Sequence, residues 1–175
     1  MREAEGYLDL LTAVGDHWPL EVALRDRTAQ RALDALDRIA SKNYRRADVA
    51  LLRGQALRLM DRFQEALEPL RIAAELEPGN LHVSLALGWC YKRVGRLDLA
   101  IQALETSLEK NADEAVLHYN LACYWSLAAN VRKALAYLDH SFDLEPHFRD
   151  LVMDEPDFDP IRHYPEFLAL TSVIV

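Results

Sequence analysis

Gly54, Gly88 and Ala122 stand 34 residues apart, and the same step relates Ala66, Ala100 and Ala134. Leu70, Leu104 and Leu138 keep it, as do Pro78, Ala112 and Pro146. A chain written on a fixed period of this length folds as stacked supersecondary units. One unit cannot bury its own apolar face and must lean on the next. The period therefore restricts both fold and function, because stacked arrays mostly present surface to other proteins and rarely carry chemistry.

Set in phase, the copies are 47–80, 81–114 and 115–148. Each reads as two amphipathic helices joined by a short turn. In the middle copy Ser84, Leu87 and Tyr91 share one helical face with Gly88 beside them. Gly95 breaks the pattern and permits a left-handed backbone. Leu97, Ala100, Leu104, Ser107 and Leu108 form the inward stripe of the second helix. Gly88 and Ala100 allow a close crossing that a larger side chain would block. Asn111 and Asp113 supply turn and N-cap chemistry ahead of the third copy.

These residues resemble the tetratricopeptide repeat, whose signature runs aromatic, Leu-Gly, Tyr, Ala, aromatic, Pro. The middle copy matches at Leu87-Gly88, Tyr91 and Ala100, with Leu104 in place of the second aromatic. The third matches at Leu121-Ala122, Trp125, Ala134, Leu138 and Pro146, and the first at Gly54, Leu57, Ala66, Leu70 and Pro78. The resemblance implies an all-α fold, a right-handed superhelix of helix-turn-helix repeats with helical caps at both ends. Two residues depart from it. Arg53 stands where a buried Leu is usual, so either its side chain snorkels or the first copy leans differently on its N-terminal neighbour. Pro69 falls inside a helix and removes one of its hydrogen bonds.

The expected organisation is a single domain over 1–175, with an N-terminal cap at 1–46 and a C-terminal cap at 149–175. In the first, Tyr7, Leu8, Leu10 and Leu11 give a short amphipathic helix. Gly15-Asp16-His17-Trp18-Pro19 is a break, with Pro19 able to open the next helix. Ala32, Leu36 and Ile39 then echo the second helix of a repeat, so the segment reads as a degenerate copy. At the other end, Asp154 to Ile161 and Tyr164 to Leu168 resemble a terminal segment that closes some bacterial tetratricopeptide arrays. Asp159-Pro160 and Tyr164-Pro165 are expected to start short helical turns. Phe158, Ile161, Phe167 and Leu168 are expected to cover the last repeat. The acids Asp154, Glu155, Asp157 and Asp159 lack the Gly and distant Glu of a calcium loop and read as capping and solvation.

The composition narrows the partners. With 51% hydrophobic residues the chain can bury a core of ordinary size. A net charge of −8 disfavours nucleic acid and anionic membrane. No apolar run approaches the length of a membrane span, and the polar start, Met1 to Glu5, has no apolar signal region behind it. The expected compartment is the cytoplasm. Cys90 and Cys123 read as reduced, partly buried thiols. No phosphate loop, nucleophile elbow or metal cluster is found. The histidines His17, His82, His118, His140, His147 and His163 are scattered, and His118 reads as a packed residue. No catalytic, cofactor or metal residue is assigned, and no cofactor.

In the family the first helix of each repeat lines a concave groove that takes up a partner's peptide or helix. The matching positions are Gln55 and Arg58, then His82, Leu85, Trp89 and Lys92, then Tyr119, Asn120 and Cys123. Trp89 is the expected anchor, since its slot is usually small or polar. Tyr119 adds apolar contact, Asn120 holds ligand backbone, and Arg58 and Lys92 form a basic ridge suited to acidic groups. The alternative for Trp89 is packing against the N-terminal segment. The family's carboxylate clamp is absent, because Leu51, Gln55 and Ala86 stand at its slots. The function read from this is a non-catalytic interaction module, an adaptor or assembly factor for a protein partner. Two other readings stay open: a chaperone like those of type III secretion, and a structural protein that pairs as a homodimer through an exposed repeat edge.

Overall fold

A computed structural model describes residues 1–15, 21–43 and 47–172, and the side chains among them outside 14–15 and 39–43. The described residues form helices and turns and no strand. The expected break at 15–19, with the helix start at Pro19, falls largely outside the described residues, as do His17 and the side chain of Ile39. The chain divides into two compact units, Met1–Gly95 and Arg96–Val175. The division falls inside the middle copy.

The first unit holds α1 (Arg2–Gly15), α2 (Val22–Asn43), α3 (Ala47–Leu59), α4 (Phe63–Leu76) and α5 (Leu81–Arg93). Consecutive helices pack as neighbours, and α5 also touches α3. The second unit holds α6 (Leu97–Leu108), α7 (Ala115–Leu127), α8 (Val131–Leu144), α9 (Phe148–Leu151), a 3-10 turn at Pro156–Phe158 and α10 (Pro165–Thr171). Here α7 packs on α6 and α8, and the 3-10 turn lies against α7.

The 34-residue step returns in the backbone. First helices begin at Ala47, Leu81 and Ala115, and second helices at Phe63, Leu97 and Val131. The small-residue column Ala66, Ala100 and Ala134 is fully buried, and so is Leu70, Leu104 and Leu138. A third column, Ala73, Ser107 and Ser141, is equally buried. Its hydroxyls are satisfied locally: Ser141 donates to the Leu138 carbonyl at 2.7 Å, and Ser107 Oγ accepts from Asn111 at 3.1 Å. Gly54 shows why the first column needs no side chain, since a Cβ there would fall on the Leu70 side chain of α4.

Within each copy the turn between helices passes through the left-handed region, at Asp61 (φ 57°), Gly95 (φ 77°) and Ala129 (φ 56°). At Ala129 the reversal is tied by two hydrogen bonds. Ala129 N–H donates to the Ser126 carbonyl at 2.8 Å and Asn130 N–H to the Trp125 carbonyl at 2.9 Å. The same pair recurs at Asp61 and Arg62, which satisfies helix-end carbonyls that would otherwise lack donors.

Several expectations change in detail. Asn111 and Asp113 do not cap α7. The N-cap is Glu114, without a side-chain bond, and Asn111 turns back to donate to the Ser107 carbonyl and hydroxyl. The buried Ser107 hydroxyl needs a partner within the protein, and the Asn111 amide supplies it. Arg53 is half-buried and its guanidinium meets Asp37 of α2, the leaning contact its polar head requires. Helix α4 runs on through Pro69, which is buried inside it. At the N-terminus Ala4, Leu8 and Leu11 of α1 are buried, as are Ala32 and Leu36 of α2, whereas Leu10 is exposed.

The C-terminal segment covers part of its own unit. Phe158, Ile161, Phe167 and Val152 are all within 1% of complete burial. Leu168 does not join them and is 55% exposed, because α10 turns Phe167 inward and its next residue outward. Pro165 opens α10 as expected. Pro160 lies in a single helical turn, in which the Phe158 carbonyl accepts from Ile161 and Arg162 N–H, and Pro156 starts a 3-10 turn just before it. The acids fold into local bonds: Glu155 accepts from Asp157 N–H at 3.0 Å, and Arg162 joins Asp159 at 2.8 Å and the Glu155 carbonyl at 2.7 Å. No group of three His, Cys, Asp or Glu suited to a metal occurs among the described residues.

Candidate functional site

Six of the nine expected groove residues stand in the first unit, on α3 and α5. Gln55 and Arg58 follow the buried Gly54 on α3, and His82, Leu85, Trp89 and Lys92 run along α5. The i, i+4, i+7 spacing of Leu85, Trp89 and Lys92 places them on one helix face. Trp89 is 38% exposed, and the Lys92 ammonium lies 4.7 Å from its ring centroid. A cation over an aromatic face holds both side chains near one geometry. His82 is exposed, and Gln55, Arg58 and Leu85 are half-buried. The Arg58 Nε is buried with no hydrogen-bond partner. Its charge reaches Cys90, whose thiol burial pushes up to about 11 against the pull of that guanidinium. Cys90 is therefore a packed, protonated thiol at neutral pH and no nucleophile.

The three residues on α7 are placed differently from the expectation. Tyr119 and Cys123 occupy the slots of Leu85 and Trp89 one repeat on, yet they are only 7% and 2% exposed. Over Tyr119 the cover is the C-terminal segment. Phe148 lies 4.8 Å from the Tyr119 ring and Phe158 meets it edge-on at 5.7 Å. The chain's own aromatics thus fill, over α7, the place expected for a partner. The Tyr119 hydroxyl is buried without a hydrogen bond, and burial raises its pKa well above that of an ordinary phenol. Asn120 is half-buried, and its amide donates to the Val116 carbonyl of its own helix at 2.8 Å.

His118, also on α7, is 7% exposed and packs edge-on against His140 at 4.3 Å. Its Nε2 lies 2.7 Å from the Ala112 carbonyl oxygen, which can only accept, so Nε2 carries the proton. Burial then lowers the pKa, helped by His140 and opposed by the Ala112 bond and Asp113. The residue is a neutral packing element.

One grouping was not singled out from the sequence. Trp125, which matches the family's Tyr position, lines a cleft with Leu97, Ile101, Glu105 and Lys133. Lys133 lies eight residues on, across a turn, and no linear spacing relates it to α6.

A chain of paired helices with a 34-residue structural period is a helical-repeat scaffold of the protein-interaction class. Residues 57–122 match the model of the Tetratricopeptide repeat family, so the chain contains tetratricopeptide repeats. Its fold is shared by solved structures of MamA. A crystal structure of MamA has 18% identity over 84% of this chain and 89% of that one, with a TM-score of 0.65. MamA 41-end from Desulfovibrio magneticus RS-1 has 18% identity over 96% and 94%, with a TM-score of 0.64. MamA AMB-1 has 22% identity over 81% and 78%, with a TM-score of 0.59. No curated protein matches the sequence. No described helix is long and apolar enough to cross a membrane.

Proposed function

We propose that the protein is an adaptor that captures an acidic segment of a partner protein on the α3/α5 face. The observation that carries this reading is Trp89, a large aromatic left 38% exposed on a repeat helix whose neighbours are otherwise packed. Lys92 lies over its ring and Arg58 stands on the neighbouring helix α3, and both supply positive charge on a chain of net charge −8. Buried aromatic anchors carry a large share of interface energy, and flanking charges mainly govern encounter. Tyr119 and Cys123 drop out of this reading because both are buried, Tyr119 under Phe148 of the C-terminal segment.

The test is to pan a peptide library on the full chain and measure the selected peptides by titration calorimetry. Trp89→Ala is expected to weaken binding more than tenfold, about 2 kcal/mol, with helical content unchanged. Arg58→Glu combined with Lys92→Glu is expected to slow association and flatten its salt dependence. Peptides that bind both variants as well as the parent would remove the α3/α5 face from consideration.

A further inference from the structure

The second unit carries a cleft of about 470 Å³ whose walls have opposite polarity. One wall is a stripe of α6, where Leu97 and Ile101 provide an apolar floor and Glu105, one turn on, a carboxylate. The other is made by Trp125 near the end of α7 and Lys133 in the first turn of α8. The volume falls in the ordinary range for ligand sites.

Two observations say what such a cleft would take. The Lys133 ammonium sits 3.7 Å from the Trp125 ring centroid, so the aromatic face already holds a cation. The Trp125 Nε1–H is buried and has no hydrogen-bond partner. A buried donor without an acceptor costs free energy that a ligand's carbonyl oxygen would recover. The α6 wall offers the complementary chemistry, an aliphatic surface leading to the Glu105 carboxylate. A lysine or arginine side chain fits that sequence of surfaces, stem on Leu97 and Ile101 and charged head on Glu105.

We infer that this cleft is a second peptide site, which takes a Lys- or Arg-bearing segment of a partner protein. Its main-chain carbonyl accepts from Trp125 Nε1–H and its side-chain cation pairs with Glu105. The site is independent of the α3/α5 face and of opposite charge preference. One scaffold could then hold an acidic segment and a basic one.

The chain has three tryptophans, so its indole N–H resonances are separable and Trp125→Phe assigns the relevant one. The probes are acetylated and amidated Gly-Ser-X-Ser-Gly peptides with X as lysine, arginine, norleucine or glutamate, titrated into the full chain to about 10 mM, where weak sites are visible. The Trp125 resonance is expected to move saturably with the lysine and arginine peptides and at least fivefold less with the other two. Glu105→Gln is expected to weaken the lysine peptide severalfold with an unchanged circular dichroism spectrum. Lys133→Met, which removes the competing internal cation, is expected to tighten it. An unmoved Trp125 resonance would overturn the inference, and so would an equal response to norleucine. Movement of the Trp89 resonance alone would likewise overturn it, while leaving the α3/α5 reading intact.

Discussion

Asp61, Gly95 and Ala129 turn the chain through the same left-handed conformation, and only one of them is glycine. A side chain on a left-handed residue costs about 1–2 kcal/mol, because Cβ crowds the following carbonyl. Ala129 carries that cost with no compensating polar contact from its methyl group, and it is exposed. Ala129→Gly is therefore expected to stabilise the protein by about 1 kcal/mol, less the added freedom of the unfolded chain. A rise in the urea midpoint at constant slope is the measurement. Asp61→Gly should gain less, since the Asp61 carboxylate also pairs with Arg25 at 2.8 Å. The opposite sign is expected at Gly54. A methyl group there meets the fully buried Leu70, which has no room to retreat. Gly54→Ala should lower the same midpoint by the equivalent of about 1–3 kcal/mol, the usual cost of overpacking. Equal midpoints for Gly54→Ala and the parent would mean that α3 and α4 do not cross where the repeat alignment puts them.

Helix α7 shows what a repeat helix gains and loses by being covered on several sides. His118 packs between the Ala112 carbonyl and the rings of Tyr137 and His140 on α8. Its pKa is lowered in the fold, so the unfolded chain takes up a proton first as pH falls. Stability from this residue is complete above the unfolded value near 6.5 and is lost as pH drops through the lower folded value. The melting temperature is expected to fall between neutral and mildly acidic pH, and His118→Gln, which keeps a donor for Ala112, should flatten that slope. The same helix marks the limit of sequence reading. The starts of α3 to α8 follow from a period carried by Ala66, Ala100 and Ala134, because close crossings admit only small residues and so leave a mark in residue type. The third buried column was legible only at Ser107, since Ala73 and Ser141 differ in chemistry while sharing a slot. The capping of α7 was not legible, because the choice of Asn111 between a helix end and the Ser107 hydroxyl is decided in three dimensions. Nor was the burial of Tyr119 and Cys123. Their slots match those of Leu85 and Trp89, and the cover over Tyr119 comes from the fold of a segment some 30 residues downstream.

For the molecule as a whole, the C-terminal segment therefore decides how much repeat surface is on offer. Trp89 and Cys123 occupy one slot in successive repeats and differ in exposure by 38% against 2%. In the second unit Phe148 and Phe158 lie against Tyr119, the neighbouring slot on α7. Phe158 is the pivot of that cover. It is fully buried, meets Tyr119 at 5.7 Å and meets Phe167 at the same distance. Phe158→Ala removes a buried ring from between two others and is expected to cost about 3–5 kcal/mol, the range for a large aromatic truncated in a core. Removing residues 153–175 goes further and uncovers Tyr119 together with the apolar side of α8 that α10 touches. An exposed patch of that kind drives association. The truncated chain is expected to elute as oligomers in size-exclusion chromatography with light scattering, and to bind a hydrophobic dye that the full chain does not. Phe158→Ala should show the same dye binding in part, at a lower denaturant midpoint. A truncated chain as stable as the parent, with no gain in dye binding and no change in mass, would show that the segment is a tail and that α7 needs no cover. Full-length behaviour restored by adding the 153–175 peptide in trans would show instead that the covered face of α7 is a binding groove whose present occupant is the protein itself.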